Sequence, residues 1–148
     1  MLAVHMTDLT QALSAVNLAG PKARTIMGAL TDLDCSAEAF TYLRDNADRV
    51  DGAIITHGHE DHMGGLSYLL RELSFPIYGS KLTLGLARNR IEEAGLLDRT
   101  ELIPVRDGER RAIGPCQVEF IPVTHSVPQG FATAFHTPQG TILHSGDF

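Results

Sequence analysis

Apolar positions in the middle of the chain recur in two alternating rhythms, one helical and one extended. Leu66, Leu69, Leu70 and Leu73 recur at steps of one, three and four residues and predict a helix with one face on a core. Leu84, Ala87, Ile91 and Ala94 make a second such stripe, with Ser80 placed to cap its start and Gly95 to stop it. Upstream, Phe40, Leu43, Ala47 and Val50 predict a helix opened by Ser36 and closed by Asp51-Gly52. Between these stripes lie short apolar runs, Ala53-Ile54-Ile55-Thr56, Pro76-Ile77-Tyr78-Gly79 and Glu101 to Val105, the last ended by Asp107-Gly108. Runs of that length suit buried strands, and strands alternating with helices predict parallel pairing. The last third changes rhythm. Gln117 to Val123 starts with the polar–apolar alternation of a half-buried strand, and Phe131 to Phe135 with Thr141 to Leu143 predict a hairpin turned at Pro138-Gln139-Gly140. Residues 1–34 predict only a short helix, capped by Thr7 or Asp8, with Leu9, Leu13 and Val16 on one face and Gly20-Pro21 at its end. Such a stripe is more often a packing face than a binding site, and the segment stays unassigned.

Composition narrows this α/β reading without redirecting it. The chain has 148 residues, 43% of them hydrophobic and 20% charged, ordinary values for one globular domain or part of one. Twelve basic and eighteen acidic side chains leave a net charge of −6, which argues against nucleic-acid binding through this segment alone, although bound cations would offset part of it. Cys35 and Cys116 are far apart and outside any Cys-x-x-Cys pattern, so reduced thiols are expected. No apolar stretch approaches the ~20 residues needed to span a membrane. The first residues lack the basic region and apolar core of a signal peptide. A cytoplasmic protein is expected.

Chemistry concentrates directly after the first short strand. In His57-Gly58-His59-Glu60-Asp61-His62, three histidines and two carboxylates fall within six residues. Imidazoles with hard oxygen ligands beside them suit a divalent transition metal, zinc first and manganese second. If the backbone leaves the strand extended, His57 and His59 project to the same side, while Asp61 and His62 follow a bend and can face a second ion. Gly58, Gly64 and Gly65 allow unusual backbone angles and close approach. The competing reading is a polar loop that happens to be rich in histidine, but a solvated loop has no need for so many ligands at this spacing. His125 follows a strand and opens a loop; alone it is as readily a core histidine, yet one of the two ion sites still lacks a third ligand. Asp147 also ends a strand. An aspartate after a glycine is usually a turn residue, but a carboxylate there could bridge two cations ~3.5–4 Å apart. His144 reads as structural or as a support to the ligands, and His5 and His136 as core or surface residues.

These strings resemble a known family. The His57–His62 motif is similar to the signature of the metallo-β-lactamase fold. The longer stretch from Ile55 to Gly95, including Lys81-Leu82-Thr83-Leu84-Gly85-Leu86, resembles the ribonuclease J family, which belongs to the β-CASP subgroup of that fold. So do His125-Ser126-Val127-Pro128, His136-Thr137-Pro138-Gln139-Gly140-Thr141-Ile142 and His144-Ser145-Gly146-Asp147-Phe148. The resemblance runs from about Thr41 to the end. It implies an αββα-type fold with a mixed sheet and flanking helices, incomplete here, with residues 35–148 as part of the metallo-β-lactamase domain. It implies two divalent ions, one held by His57, His59 and His125, the other by Asp61 and His62, with Asp147 bridging. Asp61 and His62 would then flank the attacking water. The implied activity is RNA cleavage, 5′-to-3′ exonucleolytic and endonucleolytic, in RNA processing and decay, by an enzyme that forms a homo-oligomer at full length.

Two departures qualify the resemblance. The family's opening paired strands and Asp-Cys-Gly step are reduced to Asp34-Cys35-Ser36, and residues 1–33 do not match. The chain also stops one residue after Asp147, ahead of the inserted β-CASP domain and the returning half of the fold. It is therefore expected to be an amino-terminal piece, weakly stable and with little or no nuclease activity by itself. Two other readings remain: a small ester or thioester hydrolase of the same fold, and a truncated product that binds metal without turnover.

Overall fold

A computed structural model describes residues 45–147. The short helix read near residues 7–20 lies outside them, as do Cys35 and most of the helix opened by Ser36. Where that predicted helix would end, the described residues form a 3-10 turn over Ala47–Arg49, and Val50 is extended.

The parallel half follows the predicted alternation. Strands β1 (Ala53–Ile54), β2 (Ile77–Gly79) and β3 (Leu102–Pro104) form a three-stranded parallel sheet in the order β1-β2-β3. Between β1 and β2 come a short helix α1 (Glu60–Met63) and α2 (Leu66–Glu72), and between β2 and β3 comes α3 (Lys81–Glu93). Ser80 caps α3 as expected: its Oγ accepts from the Thr83 backbone N–H at 3.2 Å, and Gly95 ends the helix at φ +69°. The stripe residues Leu66, Leu70, Leu73, Leu84, Ala87 and Ile91 are buried together with Ile55, Met63, Phe75 and Ile77.

The antiparallel half is a four-stranded sheet in the order β4-β5-β6-β7, with β4 Arg110–Ile113, β5 Cys116–Val123, β6 Gly130–Thr137 and β7 Gly140–His144. The β6–β7 hairpin is the predicted one, extended at both ends. Strand β4 escaped the sequence reading, because Arg110-Arg111-Ala112 offers no apolar alternation. It is recruited by pairing with β5 across the Gly114-Pro115 turn. Parallel and antiparallel strands thus occupy two sheets.

Side-chain alternation stacks the layers. In the register Ile54↔Tyr78↔Ile103, all three face the second sheet and pack with Val105, Ile113, Cys116, Val118, Phe120, Phe131 and Phe135. The neighbouring row Ala53↔Ile77↔Leu102 faces the helices. The period of two along each strand is therefore what lets one sheet serve two cores. Phe120 and Phe131 meet edge to face at 5.7 Å between ring centroids in the inter-sheet core. One main-chain bond joins the sheets where it matters: Phe131 N–H donates to Thr56 C=O at 2.9 Å, tying the end of β1 to the start of β6.

Candidate metal centre

Three connections converge at that junction. The chain leaves β1 at Thr56 and runs through His57 and His59 into α1, whose first turn carries Asp61 and His62. The predicted bend is this short helix, opened by His59 in an extended conformation at ψ 150°. The β5–β6 connection supplies His125, and the turn after β7 supplies Asp147. Glycine makes the last approach geometrically feasible. Gly146 has φ +63°, and a Cβ there would stand 2.6 Å from the Phe131 carbonyl oxygen and 3.5 Å from Thr56 Cβ. His144 belongs to this turn and not to the cluster: its Nδ1 accepts from the Gly146 N–H at 3.1 Å.

The donor atoms face one another. His57 Nε2 lies 3.0 Å from His59 Nδ1, which in turn lies 3.3 Å from His125 Nε2. Asp147 Oδ2 lies 3.2 Å from His62 Nε2 and 3.9 Å from His57 Nε2. Asp61 Oδ2 stands 3.7 Å from His62 Nε2 on the exposed flank. Two groups of three donors result, His57–His59–His125 and His57–His62–Asp147, each with its ligand atoms within 4.8 Å of one another. The chemistry of the set fits divalent ions. Nitrogens bound at about 2.0–2.1 Å to a tetrahedral zinc stand roughly 3.3–3.4 Å apart, close to the spacings of the three imidazoles. His57 is common to both groups, and Asp147 Oδ2 faces His57 and His62 within the second.

Burial grades across the site. The His57 side chain is 2% exposed, His62 7%, Asp147 46% and Asp61 65%. Burial holds the His57 imidazole below its usual pKa, His62, His59 and His125 push the same way, and Asp147 opposes them. A neutral imidazole is the form that can ligate a cation. An open cleft of about 550 Å³ lies among Lys81, Arg106, Asp107, Glu109 and Arg111, and none of the six donors lines it.

The structure also places residues to which the sequence reading gave no part in the site. Thr56 Oγ1 is 3.0 Å from His57 Nδ1, and Ser126 Oγ is 3.1 Å from His59 Nε2. Gln129, at φ +60°, accepts at Oε1 from the Leu82 N–H at 3.3 Å and fastens the His125 loop to the start of α3. Glu60 pairs with Arg90 of α3 at 2.8 Å, outside the donor cluster. The signal for Thr56 and Ser126 was adjacency, a hydroxyl residue directly beside a ligand-type histidine. His136, read as core or surface, lies 3.0 Å from Glu119 Oε2 and 3.0 Å from Thr141 Oγ1 on the outer sheet face.

Comparison with known proteins gives the family of the chain. The chain is 47% identical over 111 residues to ribonuclease J of Synechocystis, covering 74% of this chain and 17% of that protein. It is 39% identical over 119 residues to ribonuclease J 1 of Streptococcus pyogenes, covering 80% and 21%. It thus spans about a fifth of the length of these relatives. Among solved structures, the metallo-beta-lactamase fold protein YhfI of Bacillus subtilis matches with a TM-score of 0.54 at 20% identity over 74% of this chain and 46% of that one. Zinc-bound PqqB of Methylobacterium extorquens matches with a TM-score of 0.56 at 17% identity over 62% and 36%. These two show the fold alone. Residues 19–148 match the family model of the metallo-beta-lactamase superfamily, and the chain belongs to that superfamily.

Proposed function

We propose that this chain carries the dinuclear metal centre of an RNA phosphodiester hydrolase of the ribonuclease J kind. His57, His59 and His125 would hold one divalent ion, Asp61 and His62 the other, with Asp147 between them; zinc is the first choice of metal and manganese the second. The observation that carries the reading is the convergence of five donors, His57, His59, His62, His125 and Asp147, from three separate connections at spacings suited to cation ligation, with Asp61 beside His62 on the exposed flank. Similarity to ribonucleases J supplies the substrate class. By the same reading the enzyme is cytoplasmic, cleaves RNA from the 5′ end and internally, and assembles as a homo-oligomer at full length.

When bound, such a pair of ions activates water near neutral pH and offsets charge that builds on the phosphoryl oxygens. The chain's own residues do the positioning. His57 and His59 present nitrogens from one rigid strand end, and the neutral state of buried His57 keeps its lone pair available. Asp147, held by the Gly146 turn, faces His57 and His62 with one oxygen. Asp61 stays half in solvent, where it can accept a proton from water at the rim of the site.

The test uses a chimera in which residues 45–147 replace the matching segment of Synechocystis ribonuclease J. It is expected to cleave single-stranded RNA, to leave a thioester intact, and to lose RNA cleavage on His59→Ala. Equal cleavage by the parent chimera and its His59→Ala variant would assign the activity to contamination. Thioester turnover without RNA cleavage would establish the small-hydrolase alternative.

A further inference from the structure

We infer that Thr56 and Ser126 are positioning residues that favour opposite tautomers on His57 and His59, so that each ring can turn a bare nitrogen toward an ion in the metal site. The inference rests on the metal-centre reading above and deepens it.

A neutral imidazole has one N–H and one lone pair, and a ligand must aim the lone pair at the cation. In each ring one nitrogen points into the cluster and the other points away. For His57 the inward atom is Nε2, 3.0 Å from His59 Nδ1 and 3.9 Å from Asp147 Oδ2. Its outward atom, Nδ1, meets Thr56 Oγ1 at 3.0 Å. For His59 the order is reversed. Nδ1 points inward, 3.0 Å from His57 and 3.3 Å from His125 Nε2, and Nε2 meets Ser126 Oγ at 3.1 Å. Each outward nitrogen therefore has a hydroxyl to accept its proton. A hydroxyl has two lone pairs and can take that bond whatever its own hydrogen does. The ligand-ready forms are Nδ1–H for His57 and Nε2–H for His59.

The two hydroxyls differ in setting. Thr56 is buried at 7% exposure and belongs to the strand end, so it holds His57 from the scaffold. Ser126 sits on the loop that carries His125, so its contact links His59, from one connection, to a third ligand from another. Outer partners of metal-binding histidines of this kind are worth about 10–100-fold in metal affinity.

The experiment measures zinc affinity of the 148-residue chain by competition with a chromophoric chelator, and the protonated ring nitrogens of the metal-free chain by long-range ¹H–¹⁵N spectra. Ser126→Ala and Thr56→Val are expected to weaken zinc binding by about 10–100-fold. Ser126→Thr and Thr56→Ser, which keep the hydroxyl, are expected to restore it. Ser126→Ala is expected to leave the metal-free melting temperature unchanged, which a merely structural role would not do. The free side chain favours Nε2–H, so a proton on Nδ1 of His57 in the wild type is the diagnostic signal, lost in Thr56→Val. Wild-type zinc affinity in both hydroxyl-free variants, or His57 protonated at Nε2 in the metal-free wild type, overturns the proposal while leaving the metal centre standing. Absence of zinc binding in the wild-type chain overturns the metal centre itself, and this proposal with it.

Discussion

His57 is the residue on which both donor groups depend, because its Nε2 faces His59 on one side and Asp147 on the other. A single imidazole nitrogen can ligate only one ion, so by the proposed assignment His57 and His125 serve the same ion and Asp147 lies between the two. In dialysed protein, elemental analysis is expected to give close to two metal ions per chain for the wild type, about one for His57→Ala and for His125→Ala, and less than one for Asp147→Ala. A full complement of metal in His57→Ala would contradict the assignment. The same burial has a pH signature in the metal-free chain. The folded pKa of His57 lies below its unfolded value, so the unfolded state takes up more protons as pH falls below about 6.5. Stability contributed by the neutral ring is complete above that value, declines as pH falls toward the folded pKa, and changes no further beneath it. Urea midpoints measured from about pH 7.5 down to 5.5 should decline, with a shallower slope in His57→Gln. Glu119 works at lower pH. The hydrogen bond from His136 holds its carboxyl below the ordinary value, with Arg110 adding to the effect, so its contribution is present above that value and fades as pH falls through the folded one.

The elements serve the site through the angles at which they stop. Gly95 and Gly146 both adopt left-handed φ, +69° and +63°, but only one of them is crowded. A Cβ at Gly95 meets nothing within 4 Å, whereas one at Gly146 meets the Phe131 carbonyl. Gly95→Ala is expected to cost about 1 kcal/mol, the left-handed penalty alone, and to leave metal binding unchanged. Gly146→Ala should cost more than that and should also displace Asp147, lowering the metal content. Paired chemical denaturation and elemental analysis separate the two, and a silent Gly146→Ala would mean that the turn can relax without moving the carboxylate. Helix α3 contributes at its start as well as along its buried stripe. The Leu82 N–H is taken by Gln129 and the Thr83 N–H by Ser80, so the helix end is joined to the loop that bears His125.

Across the whole molecule, the described residues form a helix layer and two sheets, with the site at the seam where the end of β1 is hydrogen-bonded to β6. Both sheets keep open edges, β1 and β3 in one and β4 and β7 in the other, among the described residues. Leu143 on β7 is 63% exposed and Tyr68 on α2 65%. A chain with such edges should gain noticeably from cross-links between its segments, and a metal centre joining three connections is one. Zinc at a hundredfold excess over its dissociation constant is expected to stabilise the folded chain by about 2.7 kcal/mol, read as a raised midpoint in thermal melts. A high melting temperature indifferent to zinc would contradict both the weak stability and the site.

Local physics made most of the parts legible. The three- and four-residue spacing of Leu66, Leu70 and Leu73, the capping hydroxyl of Ser80 and the left-handed stop at Gly95 are short-range features, and so is the density of ligand types from His57 to His62. Sequence alone therefore determined α2, α3 and the short parallel strands, and it proposed the candidate donors. It did not reveal β4, whose residues become a strand only because β5 offers backbone partners. Nor could it show that Asp147 faces His57 as well as His62, or that Thr56 and Ser126 stand behind His57 and His59. Those relations join residues up to ninety positions apart, and only the packing of two sheets, fastened by one backbone bond between Phe131 and Thr56, brings them within reach of each other.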